Sequence, residues 1–162
     1  MGGTASPAEL KARKRQDYRF LLDYRTRWND NDMYDHMNNS IYNFLFDSVI
    51  NAYLMEKCNL HPPSSPQHPM CVHHHTDYFA SIAYPAVAEL ALRVNKLGRS
   101  SVTYEIALFE KGLDEVKAVG EFVHVFIDRE TGRPVKAGME ETLRRELEKL
   151  LVHQDDETKS KL

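Results

Sequence analysis

Residues 39–57, NSIYNFLFDSVINAYLMEK, constrain the fold more than any other stretch. Read as a helix, they place Ile41, Tyr42, Phe44, Leu45, Phe46, Val49, Ile50, Ala52, Tyr53 and Leu54 around almost the whole circumference. Only Asn43, Asp47 and Asn51, spaced i to i+4, leave a thin polar stripe. A helix apolar nearly all round must be buried on most sides. At 1.5 Å per residue it is roughly 25–28 Å long, so a small domain can bury it only by wrapping a curved sheet around it. Asn38 or Asn39 can cap its start, because an amide oxygen accepts from first-turn N–H groups that have no helical partner.

The rest of the chain supplies that sheet. Residues 20–28 alternate, with Phe20, Leu22, Tyr24, Thr26 and Trp28 on one face, which predicts a half-buried strand. Residues 29–38 carry no apolar period and read as a loop. Residues 58–70 hold four prolines and also read as a loop. Four more strands are predicted over 71–79, 86–94, 101–110 and 116–127, the last apolar on both faces as a central strand is. Met139, Leu143, Leu147 and Leu150 or Leu151 then form one stripe of an amphipathic helix over 139–151. The order predicts an α+β domain with an antiparallel sheet over residues 18–152, between a poorly ordered tail at 1–17 and a polar tail at 153–162.

A length of 162 residues suits one domain with a genuine core. With 28% charged residues and a net charge of −3, no global field points to nucleic acid. No apolar run reaches transmembrane length and no secretory h-region occurs, so Cys58 and Cys71 read as reduced thiols of an intracellular protein. Gly2 and Ser6 fit an N-myristoylation pattern, weighed against a plain tail. The ending Ser160-Lys161-Leu162 fits a peroxisomal address if Leu162 is the natural terminus, with a cytoplasmic location as the alternative.

Chemistry concentrates between the first strand and the long helix. His73, His74 and His75 invite a metal, but side chains alternate along a strand, so the three do not converge and no metal is assigned. No nucleophile elbow, phosphate loop or dinucleotide glycine pattern is present. Asp30 and Asp32 remain, just before a helix start that offers free N–H groups and partial positive charge. A carboxylate there can act as base or nucleophile toward a carbonyl, with the N–H groups holding the oxyanion. The alternative is that both aspartates merely cap a loop.

The run from Arg27 to Tyr42, RWNDNDMYDHMNNSIY, resembles the signature of hotdog-fold acyl-CoA thioesterases of the 4-hydroxybenzoyl-CoA thioesterase type. That signature reads Arg-[Trp/Tyr]-x-Asp-x-Asp-x-x-Gly-His-[Val/Met]-Asn-Asn-x-x-Tyr. KLGRSSVTYE from Lys96 resembles the family's Leu-Gly-Arg-Ser-Ser turn and strand, and Thr131-Gly132-Arg133-Pro134-Val135 fits its approach to the last helix. The resemblance covers about residues 20–150. It implies a hotdog fold, a curved antiparallel sheet wrapped around one long helix. It further implies a homodimer or homotetramer with sites between subunits, and an acyl-CoA substrate split into acid and coenzyme A. Coenzyme A would enter only as part of the substrate, with no other cofactor. By the same resemblance the acidic catalyst falls on Asp32 and the oxyanion N–H near Asn39, with His36 and Asn38 shaping the pocket. Arg99, Lys96, Ser100 and Ser101 would meet coenzyme A, Arg99 through its fork of donors to phosphate.

Two departures stand out. Asp35 occupies the family's usual Gly before His36; if that position needs φ > 0, Asp is among the few residues that tolerate it. Ala86-Val87-Ala88 stands where Gly-Asp is common. Rival readings are a non-catalytic acyl-CoA-binding hotdog protein and a hotdog hydratase or dehydratase.

Overall fold

The computed structural model describes residues 5–152; Gly2 and the Ser160-Lys161-Leu162 ending lie outside them. Five strands, β1 (Phe20–Arg25), β2 (Gln67–Tyr78), β3 (Val87–Leu97), β4 (Ser101–Glu110) and β5 (Val116–Asp128), form one antiparallel sheet in the order β1-β3-β4-β5-β2. Among the described residues three α-helices accompany it: α1 (Pro7–Lys11), α2 (Asn39–Glu56) and α3 (Glu141–Glu148). β3, β4 and β5 follow one another through short turns and fill the middle. β1 and β2, consecutive in sequence, take opposite edges, so the chain between them must cross the sheet, and α2 is that crossing.

The expected wrapping is what forms. Phe46, Val49, Ile50 and Leu54 of α2 lose all solvent contact against Leu92, Tyr104, Ile106, Leu108 and Phe126 of the sheet. Gly120 makes this approach possible: a Cβ there would lie 2.6 Å from the Phe46 ring. The burial of α2 is nevertheless one-sided. Phe44 is 70% exposed and Met55 also faces outward, so the chain's own sheet does not sheathe the outer flank of the helix.

Several boundaries differ from the sequence reading. β1 stops at Arg25, because a single 3-10 turn at Trp28–Asp30 takes over and turns Trp28 into solvent. β2 begins at Gln67, not 71, and includes Pro69; an edge strand tolerates a residue that cannot donate. α3 is shorter than 139–151, since Leu150 and Leu151 leave the helix to meet β3, with Val94 N–H donating to Leu150 O at 2.9 Å.

Residues 5–17, expected as a poorly ordered tail, pack on the sheet face opposite α2. Ser6 and Glu9 form a capping box on α1. Leu10 and Tyr18 are buried with Ala91, Ala107, Phe109 and Val119. Arg13 reaches Glu105 at 2.8 Å, and Glu105 also accepts from Tyr18 Oη at 2.8 Å, Arg93 at 3.1 Å and Asn95 at 2.9 Å. No local pattern announces this packing, because its partners lie on β3, β4 and β5.

His124 on β5 carries the clearest pH signature of the core. It is 2% exposed, neither ring nitrogen has a partner among the described residues, and its ring meets Tyr104 edge-on at 5.2 Å. Burial pushes its pKa down to about 4. The unfolded chain therefore binds the extra proton between about pH 6.5 and 4, and stability falls as pH falls through that window. The loss by pH 4 and below is about 3 kcal/mol at 1.36 kcal/mol per unit. His124→Phe is expected to flatten this slope and leave the protein as stable or more so at neutral pH, read from urea unfolding between pH 7 and 4.

Candidate active site

The polar knot starts where β1 leaves the sheet. Thr26 still pairs with Ala86, through its N–H at 3.2 Å and its hydroxyl, and the chain then enters the 3-10 turn. Asp30, at the end of that turn, is 1% exposed. Its carboxylate accepts from Tyr24 Oη at 3.0 Å and from the Arg27 N–H at 2.7 Å, while its carbonyl accepts from the Asn38 N–H at 2.8 Å. Asp30 therefore staples β1 to the start of α2 and is buried away from solvent.

Asp32 is placed differently. It opens a tight loop closed by its own N–H donating to His36 O at 2.9 Å and by an antiparallel bridge between Asn31 and Met37. Oδ1 accepts from the Tyr34 N–H at 2.8 Å. Oδ2 has no partner among the described residues, and the side chain is only half-buried. Asn31 Oδ1 accepts from the Tyr84 N–H at 3.1 Å and Met37 donates to Ile82 O at 2.8 Å, so the loop is anchored to the segment that precedes β3.

Asp35 adopts φ 61, the left-handed conformation in which the family's Gly is at ease. The departure thus keeps the loop path. Asp35→Gly is expected to leave the melting temperature unchanged or higher. Asp35→Val, with a branched Cβ in the left-handed region, should cost about 1–2 kcal/mol, read as a lower melting temperature.

Asn38, rather than Asn39, is the N-cap of α2: Oδ1 accepts from the Ser40 N–H at 3.0 Å and from its hydroxyl at 2.6 Å. Asn39 occupies the first helical position, exposed, and its N–H donates to no described group. His36 contributes its carbonyl to the loop and turns its ring to solvent. Below the helix start, Tyr42 meets Tyr78 edge-on at 5.1 Å and Phe46 meets Phe122 at 6.3 Å, an aromatic wall between α2 and the sheet. Burial pushes the Tyr42 phenol up to about 12, so it stays a neutral donor. Asn43 Oδ1 and Thr76 Oγ1 are buried without a partner among the described residues; the sequence shows Asn43 only as part of the polar stripe of the helix and gives no signal for Thr76.

The second predicted group lies elsewhere. Lys96, Arg99, Ser100 and Ser101 surround the turn between β3 and β4, held by Gly98 N–H to Ser101 O at 2.8 Å and by Arg144 onto Gly98 O at 2.9 Å. That turn is at one end of β3, and Val87, beside the knot, is at the other. At about 3.3 Å per residue, the 11 residues of β3 put roughly 30 Å between them. One copy of the chain does not bring Arg99 to Asp32. Near Arg99 opens a cavity of about 560 Å³ lined in part by Gln67, Asp128, Arg133 and Lys136. Two residues beyond the lining Ala137, the Met139 N–H donates to Arg99 O at 3.1 Å, which ties the cavity to the turn. Arg133 was legible as part of the Thr131–Val135 motif; Lys136 had no signal.

With this geometry in hand, comparison with known proteins is decisive on family. The model of the thioesterase-like superfamily matches residues 26–147. The chain belongs to that superfamily. Among solved structures, the PA5185 protein of Pseudomonas aeruginosa strain PAO1 is 42% identical, with a TM-score of 0.82 over 85% of this chain and 95% of that one. Protein SAV2348 of Staphylococcus aureus, solved in complex with CoA, shares 16% identity with a TM-score of 0.73 over 83% of this chain and 86% of that one. A 1,4-dihydroxy-2-naphthoyl-CoA thioesterase of Synechocystis shares 11% with a TM-score of 0.71 over 79% and 94%. The last two speak to fold alone. Among curated protein sequences none matches significantly. The hotdog fold of the superfamily is the architecture observed: a five-stranded antiparallel sheet around one central helix. Among the described residues no helix is long and apolar enough to cross a membrane.

Proposed function

We propose that this thioesterase-superfamily protein hydrolyses an acyl-CoA to a free acid and coenzyme A, as in the 4-hydroxybenzoyl-CoA thioesterase type its motifs resemble. The observation that carries the reading is a pairing of unused groups: the Oδ2 of Asp32 and the N–H of Asn39 at the start of an 18-residue helix. The carboxylate takes a proton from the water that attacks the thioester carbon, or attacks that carbon itself. The C–S bond then breaks and coenzyme A leaves as its thiol, and in the second route water hydrolyses the mixed anhydride to free the acid. The Asn39 N–H and the helix dipole then stabilise the carbonyl oxygen as it gains charge. Asn38 holds the helix start rigid so that this donor does not fray.

The site is completed, in this reading, by a second copy of the chain. The roughly 30 Å along β3 keeps Arg99, Lys96 and the Arg133 cleft away from Asp32 of the same copy, so phosphate contacts must come from another subunit. The surface favours such an assembly. Met33, 96% exposed, lies with Tyr34, Trp28 and Tyr84 around the knot, and Phe44, Met70 and Val72 line the outer flank of α2 and the free edge of β2. Aromatic and Met side chains of this kind are typical of the centre of subunit interfaces.

Thiol release from a panel of short, long and aromatic acyl-CoAs tests the reading. Turnover on at least one of them, lost in Asp32→Asn, is the expected result. Tight binding without thiol release across the whole panel would make the protein a non-catalytic acyl-CoA binder, and water addition to an enoyl-CoA would make it a hydratase.

A further inference from the structure

The face of the sheet turned away from α2 carries a second cluster of donors. β2 is the edge strand, and its pairing with β5 slips at Val72: Cys71 lies opposite His124, but His73 lies opposite Val123. A one-residue slip sends every following side chain to the other face. Without it, His74 alone would sit on the same side as Glu121. With it, His74 turns inward and stacks on Phe122 at 5.0 Å, while His73 and His75 turn outward, His75 directly opposite Glu121. One ligand atom from each of His73, His75 and Glu121 lies within 4.8 Å of the others. Asp77, two residues on, places Oδ2 4.0 Å from His75 Nε2.

We propose that His73, His75 and Glu121 form a site for a divalent transition-metal ion of the zinc class. Two imidazoles and one carboxylate suit that class, whereas magnesium and calcium take oxygen ligands. Bonds of about 2.0–2.1 Å in a tetrahedron set ligand atoms about 3.4 Å apart, a contraction that rotation of the two exposed histidines toward the half-buried Glu121 can supply. Three protein ligands leave one position for water or for a ligand from outside. The alternation of His73, His74 and His75 argued against three histidines converging, and that holds; the third donor comes from β5, which strand-by-strand reading does not bring into view. Because the donors sit on two strands, a bound ion ties the edge strand β2 to β5.

The test uses the full-length, untagged chain, stripped with chelator and titrated with Zn²⁺ by calorimetry, with Co²⁺ absorption as the coordination readout. The expected result is one ion per chain and a melting temperature raised by Zn²⁺. His75→Gln and Glu121→Gln should each weaken binding at least about tenfold, the scale on which even outer-shell partners count, and abolish the thermal shift. His74→Gln should keep both. His74 and His75 lie at the surface and Glu121 is half-buried, and metal-free melting curves verify that each variant folds. Absence of stoichiometric binding in the wild type would overturn the proposal, as would undiminished binding by His75→Gln or Glu121→Gln, or equal loss in His74→Gln. None of these results depends on thioester hydrolysis.

Discussion

Asp32→Asn is expected to lower acyl-CoA hydrolysis by about 10²- to 10⁴-fold, the usual contribution of a positioned general base, while leaving folding intact. The geometry explains the second half of that statement. Asn keeps an oxygen at the position of Oδ1, so the bond from the Tyr34 N–H at 2.8 Å survives, and the loop's own closure runs through backbone groups from Asp32 to His36. Only the ability of the other oxygen to take a proton or attack carbon is removed. The loss should fall on kcat, with KM nearly unchanged, because the lost interaction acts on the reacting carbonyl and not on coenzyme A. Steady-state thiol release on the best substrate of the panel measures it. Retention of more than a tenth of wild-type kcat would remove Asp32 from the chemistry. Asp30→Asn is the instructive contrast: it weakens the acceptor for Tyr24 and the Arg27 N–H, so its effect should appear in the melting temperature.

That contrast also marks what could be read from the chain alone. The fold was legible because its determinants are periodic: α2 is apolar almost all round, β4 has the bounds its alternation predicts, and an N-cap asparagine stands where the helix begins. Spacing alone did not separate the two aspartates, and only the resemblance put the catalyst on Asp32, since spacing does not show that Asp30 is buried among donors while Asp32 keeps an oxygen open. Nor was it legible that Arg99 and Asp32 occupy opposite ends of the sheet. The motifs are ordered along the chain, but an antiparallel strand of 11 residues carries the second away from the first. The bulge at Val72, which decides which histidines meet Glu121, depends on pairing with a strand some 50 residues later and leaves no local trace.

Glu105→Ala is expected to destabilise the fold by about 3–5 kcal/mol, the cost of removing one partner from a buried charged network. Glu105 sits on the central strand β4, on the face away from α2, and receives Arg13, Tyr18, Arg93 and Asn95. Burial works to raise its carboxyl, but the charges of Arg93 and then Arg13 outweigh that and hold it below the usual carboxylate value. A lowered folded pKa means that this stabilisation is present above the unfolded value and fades as pH drops through the folded one. Chemical unfolding at pH 7 measures the loss, and hydrogen exchange locates it. Residues 5–17 should lose protection first, because Arg13 is their charged tether and Tyr18 stands at their end. Arg13→Ala should cost less, since Arg93 still neutralises Glu105 from a fully buried position while Arg13 lies nearer the surface. Equal costs for the two variants would show that the network acts only as a strap for the N-terminal segment. A larger cost for Glu105→Ala, with exchange spreading into β3 and β4, is the outcome expected of a charge that organises the whole outer face of the sheet.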